Sequence, residues 1–125
     1  MMFSDLIGVP FVDGGRGMSG MDCWGLVMEC FKRQGIEVRN YHISAMELLQ
    51  ISRQMSEDEI EWDKLHEPVF GCLVLLKTEP SAWANHVGIY IGNDKFIHAY
   101  PMAGVCISTI RRWRSHLVGY YYPRR

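Results

Sequence analysis

Among the four cysteines and five histidines of this 125-residue chain, three are spaced so that together they could attack a carbonyl carbon: Cys23, His86 and His98. A thiol becomes a nucleophile when a base removes its proton, and the base works best when a third group fixes its ring. Cys23 follows the glycine-rich run Gly14-Gly15-Arg16-Gly17-Met18-Ser19-Gly20 and comes directly after Asp22, a residue type that caps helices. It therefore falls in the first turn of an expected helix. Unpaired backbone N–H groups and the helix dipole there favour a thiolate, and the same N–H groups can bind the oxyanion formed when a carbonyl is attacked.

His86 and His98 lie in consecutive β-rich runs, 86–91 and 95–100, joined by Gly92-Asn93-Asp94. A three-residue loop pairs Ile91 with Lys95 and Gly88 with His98, which makes His86 a diagonal neighbour of His98 on one face. A two-residue loop of Asn93-Asp94 shifts the register by one and sends the histidines to opposite faces. The chemistry thus depends on this turn. In the first arrangement Gly88 leaves room between the rings, His86 acts as general base, and His98 fixes its tautomer. A metal site built from Cys72, His86, His98 and Cys106 is the alternative, but these residues lack the close ligand pairs of structural zinc. Cys30, Cys72 and Cys106 sit in apolar patterns and read as packing. His42, His66 and His116 have no partner visible in the sequence.

The elements that must position these groups follow from periodicity. Cys23, Leu26, Val27, Cys30 and Phe31 recur at helical spacing, so a helix is expected from Asp22 to about Gln34, with Gly35 as its stop. A second helix is expected over 44–55, with Ser44 as N-cap and Glu47 at the capping-box position. Ser56 to Lys64 reads as a charged, exposed connection. Strands are expected over 69–77, 86–91, 95–100, 105–110 and 117–122. Helices first and strands after imply an α+β domain with an antiparallel sheet of about five strands.

With 48% hydrophobic residues and this length, the chain reads as a single domain spanning 1–125. Its 13 basic and 14 acidic residues balance to a net charge of −1, which gives no global pull toward nucleic acid or anionic lipid. The first ten residues contain no Lys or Arg and no apolar stretch long enough for a signal peptide or membrane span, so the chain is expected to be cytoplasmic when synthesised. Four unclustered cysteines argue for reduced thiols, and nothing suggests a cofactor.

Gly8-Val9-Pro10-Phe11-Val12-Asp13-Gly14-Gly15 followed by Met21-Asp22-Cys23-Trp24-Gly25-Leu26-Val27 closely resembles the catalytic-cysteine motif of the NlpC family of bacterial cell-wall endopeptidases. The run from His86 to Ala99 resembles that family's two-histidine hairpin almost residue for residue. The resemblance implies a papain-like fold, a triad of Cys23, His86 and His98, and a peptidoglycan stem peptide as substrate, cut between D-glutamate and a diamino acid. Two positions depart from the family pattern. Phe11 stands where Tyr is common, removing a hydroxyl that could bind substrate. Trp24 stands where Ser is common, and an indole there is expected to narrow or re-aim the groove. Asp22 is expected to position a substrate amine or simply to begin the helix.

Trp24 and the ending Val118-Gly119-Tyr120-Tyr121-Tyr122 also resemble small tail-associated hydrolases of phages and prophages. That likeness implies phage tail proteins as partners and a place in the virion tail, or delivery to the periplasm or cell wall. Arg111, Arg112 and Arg114 read first as a solvated face and second as a surface for acidic wall polymer or a tail partner. Two alternatives to hydrolysis stay open: a tail component that keeps the fold without turnover, and a thiol acyltransferase.

Overall fold

The computed structural model describes residues 1–40, 62–78 and 86–124. The expected helix over 44–55 lies outside the described residues. A 3-10 turn, Ser4–Leu6, opens the chain. A two-stranded ribbon follows, β1 (Arg16–Gly17) and β2 (Gly20–Met21), and leads directly into α1 (Cys23–Arg33). The remaining strands are β3 (Trp62–Leu65), β4 (Leu73–Leu76), β5 (His86–Gly92), β6 (Lys95–Tyr100), β7 (Gly104–Thr109) and β8 (Leu117–Pro123). The short helix α2 (Ile110–Trp113) and a 3-10 turn connect β7 to β8. The six longer strands form one antiparallel sheet in the order β3-β8-β4-β5-β6-β7.

α1 forms where its apolar stripe and caps place it. The Asp22 side chain accepts a hydrogen bond from the Gly25 N–H at 2.8 Å, closing the first turn. At the other end Gly35 takes φ +78°, which L side chains rarely adopt, and Lys32 and Arg33 face the negative end of the dipole. All five residues of the expected stripe are buried, together with Trp24 and Gly25. They pack against Leu73, Leu75, Val87, Ile89, Ile97, Ala99 and Val105 in one cluster. On the opposite face of the sheet a smaller cluster joins Val74, Leu76, Phe96 and Ile110, with Tyr90 and Trp113 against it.

The β5–β6 hairpin combines both registers expected from sequence. Asn93 and Asp94 take φ +51° and +64°, as a two-residue primed turn requires, so Gly92 and not Ile91 pairs with Lys95. The register then shifts by one: Tyr90 pairs with Phe96 and Ile89 with Ile97, leaving Ile91 as a bulge. The bulge cancels the slip of the tight turn. Continued along the strands, this register sets Gly88 opposite His98 and puts His86 on the same face.

Elsewhere the structure corrects the sequence reading. The tail of the expected exposed connection is a strand, because Trp62 is buried against Trp24 and Phe31 and pairs with Pro123 of β8. This raises the main sheet to six strands. The strand expected over 69–77 shortens to Leu73–Leu76, since Gly71 turns the chain at φ +86° and Phe70 stays exposed. The strand expected over 105–110 ends at Thr109, whose hydroxyl accepts from the Arg112 N–H and starts α2.

The Asp22 carboxylate does more than cap. It also pairs with Arg16 at 2.6 Å and accepts from the Gly14 N–H at 3.0 Å, while only 2% exposed. Replacing it with Ala removes the ion pair to Arg16 and takes the side-chain acceptor from the Gly14 and Gly25 N–H groups. Asp22→Ala is expected to lower the unfolding free energy by about 2 kcal/mol or more; a urea midpoint unchanged from wild type would contradict this role.

Candidate active site

Cys23 is the first residue of α1, held there by the Asp22 cap and the ribbon before it. The backbone of Val87, Trp24 and Cys23 itself acts on its sulfur in the direction that favours the thiolate. Val87 directly follows His86, so the thiol lies against the start of β5. Pairing between β5 and β6 stops at Ile89 and Ile97, although both strands run on to His86 and Tyr100.

The two histidines meet as diagonal neighbours. His86 Nε2 and His98 Nδ1 are 2.8 Å apart, and the ring planes cross at 71°. Because His98 engages Nε2 of His86, Nδ1 is the nitrogen left for another partner. Trp113 stacks on the His86 ring with centroids 5.9 Å apart, and Tyr100 meets it edge-on at 6.0 Å. The pair thus has a stacked indole on the His86 ring and an aromatic edge contact from Tyr100. Phe96 lies against the His98 ring with centroids 4.6 Å apart, and at the far end His98 Nε2 lies 2.9 Å from Ser108 Oγ and 3.7 Å from Cys106 Sγ.

Burial decides the resting charges. Loss of water around Cys23, reinforced by the Asp22 charge, pushes its thiol up to about 12. The N–H groups at the helix start act in the expected direction, but desolvation outweighs them. His86 is depressed to about 3 by burial and then by His98, and His98 to about 4 by burial. The resting groups are therefore a neutral thiol and two neutral imidazoles.

The other residues singled out from sequence lie differently. Trp24 does not enter a groove. Its indole is wholly buried, donates to the Arg39 carbonyl at 3.0 Å, and meets Trp62 edge-on, because core packing takes the helix face it occupies. Asp22 is buried and committed to Arg16, Gly14 and Gly25. Phe11 is half-buried, bridged to Met21 and packed on the core. His116 has partners after all, with Nδ1 2.8 Å from the Lys77 carbonyl and its ring against Trp113. Cys106 is half-buried at the His98 ring and is not simple packing. Among the described residues no three His, Cys, Asp or Glu side chains gather so as to hold a metal ion. Trp113 and Ser108 escaped sequence reading. A register for the β6–β7 hairpin would have found Ser108; nothing local to Trp113 marks it.

Residues 8–121 match the NlpC/P60 family. The chain belongs to that family. It is 33% identical over 116 residues to the Murein DD-endopeptidase MepS/Murein LD-carboxypeptidase of Escherichia coli strain K12, covering 90% of this chain and 55% of that protein. The NlpC/P60 chain thus spans about half the length of this curated relative. Among solved structures, the NlpC/p60 domain of the peptidoglycan hydrolase SagA superposes with a TM-score of 0.62 at 21% identity, covering 96% of this chain and 93% of that one. A Staphylococcus aureus protein described as similar to lipoprotein, NLP/P60 family, gives a TM-score of 0.69 at 22% identity over 99% of this chain and 40% of its own. Both share the NlpC/P60 fold. No helix among the described residues is long and apolar enough to cross a membrane.

Two outcomes test this geometry. A Cβ on Gly88 would stand 2.8 Å from the Ile97 carbonyl oxygen, 2.9 Å from the Phe96 ring and 3.1 Å from His98 Cβ. Gly88→Ala should therefore cost about 1–3 kcal/mol in urea unfolding; a neutral result would mean that the hairpin is less tight than described. The second outcome is a stability window. The histidines, depressed from 6.5, contribute stability that is present above pH 6.5 and lost as pH falls toward 4 and 3. Cys23 and Cys30, raised from 9.0 to about 12, contribute stability that is lost as pH rises beyond 9.0. Scanning fluorimetry should show a plateau between these limits and a Tm lower by about 5 °C or more at pH 5. A Tm unchanged between pH 7 and pH 5 would contradict neutral burial of the rings.

Proposed function

We propose that this domain is a cysteine peptidase that hydrolyses peptide bonds in peptidoglycan stem peptides. Cys23 serves as nucleophile, His86 as general base and acid, and His98 as the group that orients His86. The observations that carry this reading are the buried His86–His98 contact and a helix-start cysteine whose sulfur is influenced by the backbone of Val87, the residue that follows His86. The E. coli relative, named a murein endopeptidase and carboxypeptidase, supports the substrate class.

The steps follow from the neutral resting state. As the Cys23 sulfur bonds to the carbonyl carbon, its proton passes to His86 Nδ1, and backbone N–H groups at the start of α1 face the developing oxyanion. The carbon–nitrogen bond then breaks, and the leaving amine takes the proton from His86. Water next attacks the thioester, giving its proton to His86, and that proton returns to sulfur as the acid leaves. Each His86 step needs the ring held with Nδ1 toward the thiol, which is the orientation left open by the bond from Nε2 to His98.

The bond cut is a finer part of the proposal. The sequence resemblance favours the bond between D-glutamate and a diamino acid, whereas the name of the E. coli relative specifies a DD-endopeptidase and LD-carboxypeptidase. Product masses separate these. Purified muropeptides incubated with wild type should yield products that identify the bond, and Cys23→Ala and His86→Ala should each reduce cleavage by roughly 1000-fold or more. An inert wild type, or a Cys23→Ala variant that cleaves at the wild-type rate, would overturn the proposal; the inert case would favour the tail-scaffold reading.

A further inference from the structure

We propose that Ser108 is a positioning residue that sets the tautomer of His98 and, through it, the tautomer of His86. The catalytic consequence rests on the reading of Cys23 and His86 given above; the tautomer assignment stands on geometry alone.

The geometry is a chain of three contacts across two hairpins. Cys106 pairs directly with His98 in the β6–β7 ladder, and Ser108, two residues on, shares the face that His98 occupies. This brings Ser108 Oγ to 2.9 Å from His98 Nε2, while His98 Nδ1 is 2.8 Å from His86 Nε2. A neutral imidazole carries one N–H and one lone pair, so one choice of proton position propagates along the chain.

Only one direction of the chain suits a base at His86 Nδ1. That nitrogen must present a lone pair, so the His86 proton sits on Nε2 and is donated to His98 Nδ1. The His98 proton then sits on Nε2 and needs an acceptor. Ser108 Oγ is at hydrogen-bonding distance; Cys106 Sγ, at 3.7 Å, is a weak acceptor. In the reverse chain Ser108 donates to His98 Nε2, His98 donates to His86 Nε2, and His86 carries its proton on Nδ1, where no base is available.

Protonation of His86 sharpens the requirement. Once Nδ1 has taken the thiol proton, Nε2 must remain an N–H donor. A His98 proton on Nδ1 would then oppose N–H to N–H across 2.8 Å. The hydroxyl of Ser108, accepting from His98 Nε2, therefore strengthens its bond as positive charge develops on the pair. Without that oxygen the buried His98 N–H loses its good acceptor, and the reverse tautomer becomes competitive.

Long-range proton–nitrogen NMR of the imidazole rings at pH 7 tests this in wild type, Ser108→Ala, Ser108→Thr and Cys106→Ala. The expected wild-type spectrum has both His86 and His98 protonated at Nε2. Ser108→Ala should move His98 toward the Nδ1–H form and lower kcat on muropeptides by about 10- to 100-fold with KM little changed. Ser108→Thr should restore both, and Cys106→Ala should leave the tautomers as in wild type. A wild-type His98 protonated at Nδ1, or tautomers unchanged in Ser108→Ala, would overturn the proposal. If wild type cleaves no muropeptide, the peptidase reading fails while the spectra still decide the role of Ser108.

Discussion

The buried carboxylate of Asp22 is the junction on which the rest of the candidate site depends. One oxygen closes the first turn of α1 and pairs with Arg16; the other holds Gly14 in the preceding loop. Loop, ribbon and helix start are thereby tied to one another. Burying a charge is costly unless it is paired and hydrogen-bonded, and here three partners share it. The same charge raises the Cys23 thiol, so the group that positions Cys23 also opposes its ionisation.

That opposition is characteristic of the site. Backbone N–H groups around Cys23 favour the thiolate, while desolvation and Asp22 favour the thiol; His86 and His98 are kept neutral by burial. Burial thus opposes charge on all three groups. The aromatic walls contribute to this dryness. Trp113 packs on both histidines, and because it lies on α2 it ties the rings to the segment between β7 and β8. Gly88, across from His98, keeps the hairpin close enough for the rings to bond.

Much of this was legible in the residues. The helix, its stripe and its caps follow from periodicity and from Asp22 and Gly35, because those signals are local. The two histidines on one face were legible only conditionally. The tight turn at Asn93-Asp94 is what the residue types favour, yet it predicts the wrong face unless a bulge intervenes, and the bulge at Ile91 carries no mark in the residue itself. Trp24 was misjudged for a related reason. Its neighbour Cys23 suggested an exposed position near substrate, but successive helix residues point about 100° apart, and the ring belongs to the packed side with Trp62.

The sequence by itself determined the chemical types and their local settings: a cysteine at a capped helix start, two histidines twelve residues apart across a turn, and an antiparallel α+β pattern. These depend on neighbours within a few positions, where backbone sterics, capping and side-chain alternation act. Tertiary structure alone decided which groups touch. The neutral resting state of the thiol and rings comes from water excluded by distant elements, the Trp113 stack comes from a helix beyond β7, and the contact from His98 to Ser108 comes from the register of a second hairpin. Burial and register are properties of strands brought together from far along the chain, and no short window of residues contains them.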